Sequence, residues 1–225
     1  MTDLAPAMTP AELFRALEEA ADPAQADPMA KYMKNQFRFL GVPSPRRKAV
    51  CRPFFRQARK AGVVDWDFVA ACWAREEREF QYVGADYLVE LKALLTPADL
   101  PRLRRLIVEN AWWDTADSLD RAAGAIAARY PEGRARMLEW ARDPDLWVRR
   151  VAIDHQLLAK QDTDTEALAA ILEANLGSGE FFIDKAIGWA LRDYSKTDPA
   201  WVRAFLAVHA EALAPLSVRE ASKYL

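Results

Sequence analysis

Asn110-Ala111-Trp112-Trp113-Asp114-Thr115-Ala116-Asp117 places two indoles and two carboxylates within a few residues of one another. Helical spacing puts Trp113 and Asp117 on one face, one turn apart. If Asp114 or a neighbour caps the helix, Asp117 falls in its first turn, where free backbone N–H groups and the helix dipole favour an anion. A fixed carboxylate beside an aromatic wall can hold and stabilise a cation. The same residues also have a plainer and commoner use, with Trp112 and Trp113 in the core and both aspartates capping or solvated.

Other residues that could do chemistry are positively charged. Basic side chains bunch at Arg46-Arg47-Lys48 with Arg52 and Arg56, at Arg102, Arg104 and Arg105, at Arg149-Arg150, and at Lys185, Arg192 and Lys196. The formal net charge of -2 does not advertise a nucleic-acid binder. Nucleic acid responds to the field of one face, however, and these bunches could fold into a stripe. Solvated helix faces are the alternative. Cys51 and Cys72 form neither a disulfide framework nor a CxxC pair and read as reduced thiols. His155 and His209 complete no zinc signature with them, so no metal or cofactor is expected. No Walker-type loop or GxGxxG fingerprint occurs, which argues against a nucleotide-dependent enzyme.

The elements that must position these groups are helices. In 225 residues, 52% are hydrophobic, 28% are charged and only 8 are glycine. That composition favours an ordered, mostly helical protein. Start signals recur at Thr9-Pro10-Ala11-Glu12, Ser44-Pro45, Asp65, Thr96-Pro97, Asp143-Pro144, Asp162 to Asp164 and Asp198-Pro199, implying roughly a dozen helices. Residues 65–94, 99–130, 134–160, 164–194 and 199–225 each read as a helix pair. Stacked pairs bury faces that no pair buries alone, so an α-solenoid is the economical all-α arrangement and a closed bundle the alternative. Trp147 and Val151 suit the core of their helix, with Arg150 projecting elsewhere. Lys185, Trp189 and Arg192 share a face, and Gly188 would admit a close backbone or ligand. The segment Met29 to Asn35 offers an exposed Tyr32. No apolar run reaches membrane-spanning length and no signal peptide is evident, so a cytoplasmic location is expected.

The stretches YMKNQFRFLG, NAWWDTADSLD, LWVRRVAI, FFIDKAIGWALRDYSKT and LSVREASKYL, in this order and at these separations, resemble the AlkD family of bacterial alkylpurine DNA glycosylases. The resemblance runs from about residue 29 to the end; residues 1–25 match poorly. It implies a single domain over 1–225, an α-solenoid of HEAT-like repeats with a concave basic face. It further implies a monofunctional DNA repair hydrolase that releases cationic N3- and N7-alkylated purines from duplex DNA in base excision repair, without flipping the base. Asp117 would be the catalytic carboxylate, with Trp113 and Trp189 as walls against the damaged deoxyribose. Arg150 would contact phosphate, Tyr32 would lie near the duplex, and Lys185, Arg192 and Lys196 are further phosphate candidates. The partner would be double-stranded DNA bound by a monomer, nucleoid-associated when bound, with no cofactor and no membrane. A HEAT-like protein-binding scaffold or a catalytically inactive DNA-structure-binding relative would use the same architecture without needing Asp117.

Overall fold

The computed structural model describes residues 8–225. Among these are thirteen α-helices, four short 3-10 turns and no strand beyond an isolated bridge between Arg38 and Glu77. The chain forms two compact units that divide between Leu94 and Leu95. None of the described helices is long and apolar enough to cross a membrane.

The amino-terminal unit contains α1 (Pro10–Glu19), α2 (Pro23–Tyr32), α3 (Ser44–Ala61), α4 (Trp66–Trp73) and α5 (Arg78–Glu90). Thr9 starts α1 with a complete capping box: its hydroxyl accepts from the Glu12 N–H at 3.2 Å, and the Glu12 carboxylate accepts from the Thr9 N–H at 2.7 Å. Asp65 caps α4 by accepting from the Phe68 N–H at 2.9 Å. The core clusters Phe54, Phe68 and Tyr87, with Phe68 ring centroids 4.6 and 4.9 Å from the other two. Glu79 is buried, and its carboxylate accepts from the N–H groups of Leu40, Gly41 and Val42 at 3.0, 2.9 and 3.0 Å. That carboxylate fixes the chain leading into α3. Cys51 and Cys72 are free and buried, and burial pushes the Cys51 thiol up to about 12. The thiols are therefore reduced and unreactive, in line with the reading of the sequence.

The carboxyl-terminal unit contains α6 (Leu100–Val108), α7 (Trp113–Ala127), α8 (Pro131–Trp140), α9 (Leu146–Asp154), α10 (Thr165–Glu173), α11 (Phe181–Tyr194), α12 (Pro199–Val208) and α13 (Pro215–Ala221). Each helix pair expected from residue 65 onward corresponds to two of the observed helices, although α8 starts at Pro131, ahead of the expected residue 134. Asp145, Asp164 and Asp198 cap α9, α10 and α12, each accepting a backbone N–H at 2.8 to 2.9 Å. The cap of α9 lies two residues beyond the expected Asp143, because Asp143 is held by Arg104 through two bonds of 2.8 and 2.9 Å. Within this unit α7, α9, α11 and α13 pack in succession as a row, while α6, α8, α10 and α12 each contact members of it.

Two glycines set the spacing of that row. A Cβ on Gly124 of α7 would stand 2.0 Å from the carbonyl oxygen of His155, just beyond α9. A Cβ on Gly188 of α11 would meet Glu220 Cβ at 2.6 Å and the Ser217 carbonyl at 3.0 Å, both on α13. The close approach at Gly188 is therefore made to a neighbouring helix. Gly124→Ala has to push α7 and α9 apart, because the obstacle is backbone. It is expected to lower unfolding stability by about 1–3 kcal/mol, read as an earlier urea midpoint; an unshifted midpoint would show that the two helices part without cost.

Candidate active site

The amino-terminal ends of α7, α9 and α11 meet through aromatic side chains. Trp112 is the N-cap residue of α7, Trp147 lies in the first turn of α9 and Phe182 in the first turn of α11. Their ring centroids are 5.6 Å (Trp112 to Trp147), 5.4 Å (Trp112 to Phe182) and 4.9 Å (Trp147 to Phe182) apart. Trp112 thus belongs to a packing cluster, whereas Trp113, half-buried, opens α7 one turn before Asp117.

Beneath this cluster lies a fork of hydrogen bonds made by Arg150 of α9. Its Nε and Nη2 donate to the two carboxylate oxygens of Asp117 on α7, at 2.6 and 2.9 Å, and its Nη1 donates to the Phe182 carbonyl of α11 at 2.7 Å. Arg150 is 1% exposed, while the Asp117 side chain keeps 22% of its surface open. The guanidinium also lies 5.3 Å from the Trp189 ring centroid, so Asp117 and Trp189 flank the same cation.

Two expectations change here. Helix α7 begins at Trp113, so Asp114 occupies the first turn and Asp117 the second. The charge partner of Asp117 is therefore Arg150, more than the helix dipole, whose influence fades beyond the first turn. Arg150, expected to project away from the apolar face of its helix, is buried, with Asp117 and the Phe182 carbonyl satisfying its donors within the unit.

Two further carboxyl groups surround the same guanidinium. Asp154, one turn after Arg150, brings Oδ2 to 3.7 Å from Nε, and neither of its oxygens has a hydrogen-bond partner among the described residues. Asp120, on α7 beside Asp117, is also buried, with Oδ1 unpartnered. Burial, opposed by Arg150 and reinforced by Asp117, raises Asp154 to about 8; burial and the neighbouring Asp154 and Asp117 raise Asp120 as well. Burial and the neighbouring carboxylates thus push Asp120 and Asp154 toward their protonated forms, which eases the stranding of several charges in a dry site. Reading the sequence missed both acids. Their signal was the spacing, three residues from Asp117 to Asp120 and four from Arg150 to Asp154, which puts each on its neighbour's helical face.

Trp189 of α11 is half-buried, with Lys185 Nζ 5.1 Å and the Arg192 guanidinium 5.7 Å from its ring centroid. Arg192 also pairs with Glu220 at 2.7 Å, and Lys196 lies 3.6 Å from Asp193. Lys185 has no acidic partner among the described residues. Tyr32 belongs to the amino-terminal unit, where it ends α2 and is 69% exposed beside Met29, Met33, Phe39 and Tyr82.

Together these features describe an all-helical protein whose prominent polar site is a carboxylate held by one buried arginine between tryptophans. The model of the DNA alkylation repair enzyme family matches residues 13–225, and the chain belongs to that family. A solved structure described as a predicted DNA alkylation repair enzyme from Enterococcus faecalis is similar at 32% identity, with a TM-score of 0.83 over 91% of this chain and 96% of that one. The structure of smu.31 from Streptococcus mutans UA159 shares the fold at 14% identity and a TM-score of 0.61, over 96% of this chain and 98% of that one. No curated protein matches.

Arg150→Ala leaves three acids without their cation and is expected to cost about 3–5 kcal/mol of stability, measured by urea unfolding; a parent-like midpoint would remove Arg150 from its structural role. A second expectation concerns pH. Between the ordinary aspartate value of 3.8 and about 8, folded Asp154 keeps a proton that the unfolded chain has released. Stability should therefore fall as pH rises through that window and level off above it. Asp154→Asn should flatten this decline in thermal melts from pH 5 to 9, whereas an identical slope would assign the decline to other groups.

Proposed function

We propose that this protein is a monofunctional DNA glycosylase that hydrolyses the N-glycosidic bond of cationic N3- and N7-alkylated purines in duplex DNA. The observation that carries the reading is the Asp117 carboxylate, open on one side and gripped on the other by Arg150, with Trp113 one turn away and Trp189 against the same guanidinium. Membership of residues 13–225 in the DNA alkylation repair enzyme family supports alkylated DNA as the substrate.

The chemistry asks little more of the protein. A purine alkylated at N3 or N7 carries positive charge, so it leaves as a neutral base when the bond to C1′ breaks and the bonding electron pair goes to the base nitrogen. Positive charge develops on the sugar. In this reading Asp117 opposes that charge and then accepts the proton of the water that bonds to C1′, completing hydrolysis. Arg150 tempers the field of Asp117 but fixes its oxygens, and a fixed carboxylate need not reorganise as charge appears. The faces of Trp113 and Trp189 add cation–π attraction of about 0.5–2 kcal/mol each. Lys185, beside Trp189 without an acidic partner, is the best placed of the basic candidates for phosphate, while Arg192 and Lys196 would first have to exchange their acidic neighbours for it.

In this reading the base stays stacked and the enzyme grips deoxyribose and phosphate along a concave, HEAT-like row of helices. The succession α7, α9, α11 and α13 supports such a row within residues 95–225. Both units would serve one enzyme acting as a monomer, without a cofactor, with Tyr32 approaching the duplex.

Asp117→Asn is expected to slow base release by roughly 10²- to 10³-fold while affinity for undamaged duplex stays within a few fold of the parent. Undiminished release would end the catalytic assignment; joint loss of folding and binding would make Asp117 structural. Excision should also track charge. N7-methylguanine and N3-methyladenine should be released from defined duplexes, and uracil and hypoxanthine should persist. Rapid release of a neutral base would require a general acid that this reading does not contain. Bulky cationic adducts should be processed too, since an unenclosed base meets no wall, and their strict rejection would favour a flipping pocket.

A further inference from the structure

Helix α3 holds seven basic residues and no acidic one, in a chain whose formal net charge is -2. Two of the seven are neutralised by α5: Arg47 pairs with Asp86 and Arg59 with Glu90. Lys48, Arg52, Arg56 and Lys60 are exposed and have no ion-pair partner among the described residues. Each is four residues from the next, so they wind as a shallow row along one side of the helix, rising about 6 Å per step and about 18 Å in all.

This arrangement works against the helix that carries it. Like charges four residues apart repel, and the exposed Arg46 sits in the first turn, where the dipole disfavours cations. On α6 a comparable bunch is quenched: Arg102 lies near Asp99, Arg104 is held by Asp143 and Arg105 by Glu109. A local conflict of this kind, retained on one helix, points to an external partner that relieves it.

We infer that the Lys48, Arg52, Arg56 and Lys60 row of α3 is a sequence-independent contact for the phosphate backbone of duplex DNA, separate from the groups that act on the lesion. A duplex presents one negative charge per about 1.7 Å of its axis. A row about 18 Å long therefore faces several phosphates, and its flexible side chains can each take one without reading a base. The inference rests on the DNA-repair reading for its choice of partner, but it can be decided without any catalysis.

The test is titration of undamaged duplex over a series of salt concentrations, comparing the parent with a variant combining Lys48→Gln, Arg52→Gln, Arg56→Gln and Lys60→Gln. The magnitude of the log–log salt slope should fall by about 3 to 4, with affinity near 0.1 M salt reduced on the order of a hundredfold or more. Arg52→Gln and Arg56→Gln alone should each remove about 0.9, whereas Arg59→Gln, already paired with Glu90, should remove less. Melting temperatures should hold or rise, because like-charge repulsion is relieved. An unchanged slope, weakening without a slope change, or a parent that does not bind duplex would overturn the inference, leaving the row to an acidic protein surface or to solvent. Failure of base release with the slope effect intact would instead count against the glycosylase reading alone.

Discussion

The Arg150 guanidinium is the interaction on which the rest of the site depends. It joins three helices through three short bonds, to both oxygens of Asp117 on α7 and to the Phe182 carbonyl on α11, from its own place on α9. Arginine suits this position because its donors form a rigid planar fork and its charge persists when buried; lysine would supply a point charge without the two-pronged match to a carboxylate. The aromatic cluster of Trp112, Trp147 and Phe182 holds the helix ends together, and Gly124 lets α7 and α9 approach closely.

That arrangement also explains the presence of surplus acid in a dry site. One guanidinium cannot compensate Asp117, Asp120 and Asp154 together, so Asp120 and Asp154 are driven toward their protonated forms, while Asp117 is the carboxyl group that takes both prongs of the arginine fork. The group that keeps solvent access is the one held most firmly, a combination that suits catalysis by a fixed charge.

Charge elsewhere is sorted by a similar rule. Many arginines at helix surfaces find a carboxylate on the same or an adjacent helix, as Arg104 does with Asp143 and Arg192 with Glu220. Among the groups left without such a partner are Lys185 beside the Trp189 ring and the row along α3. A net charge near neutrality therefore conceals local fields of the kind that a polyanion reads.

Much of the fold was legible in the sequence because its signals are local. Thr9 with Glu12, Asp65, Asp164 and Asp198 start helices in the structure as they do on paper, since a cap needs only its own first turn. The helix pairs from residue 65 onward and the shared face of Lys185, Trp189 and Arg192 follow from periodicity for the same reason. The family resemblance drew attention to Trp113, Asp117, Arg150 and Trp189. Sequence alone did not tell Trp112 from Trp113, nor did it show that Arg150 points inward or that Asp120 and Asp154 share its charge. Those outcomes depend on groups 32 and 33 residues apart meeting in space. A buried cation can be tolerated only where folding delivers its acceptors, so its direction was decided by tertiary packing.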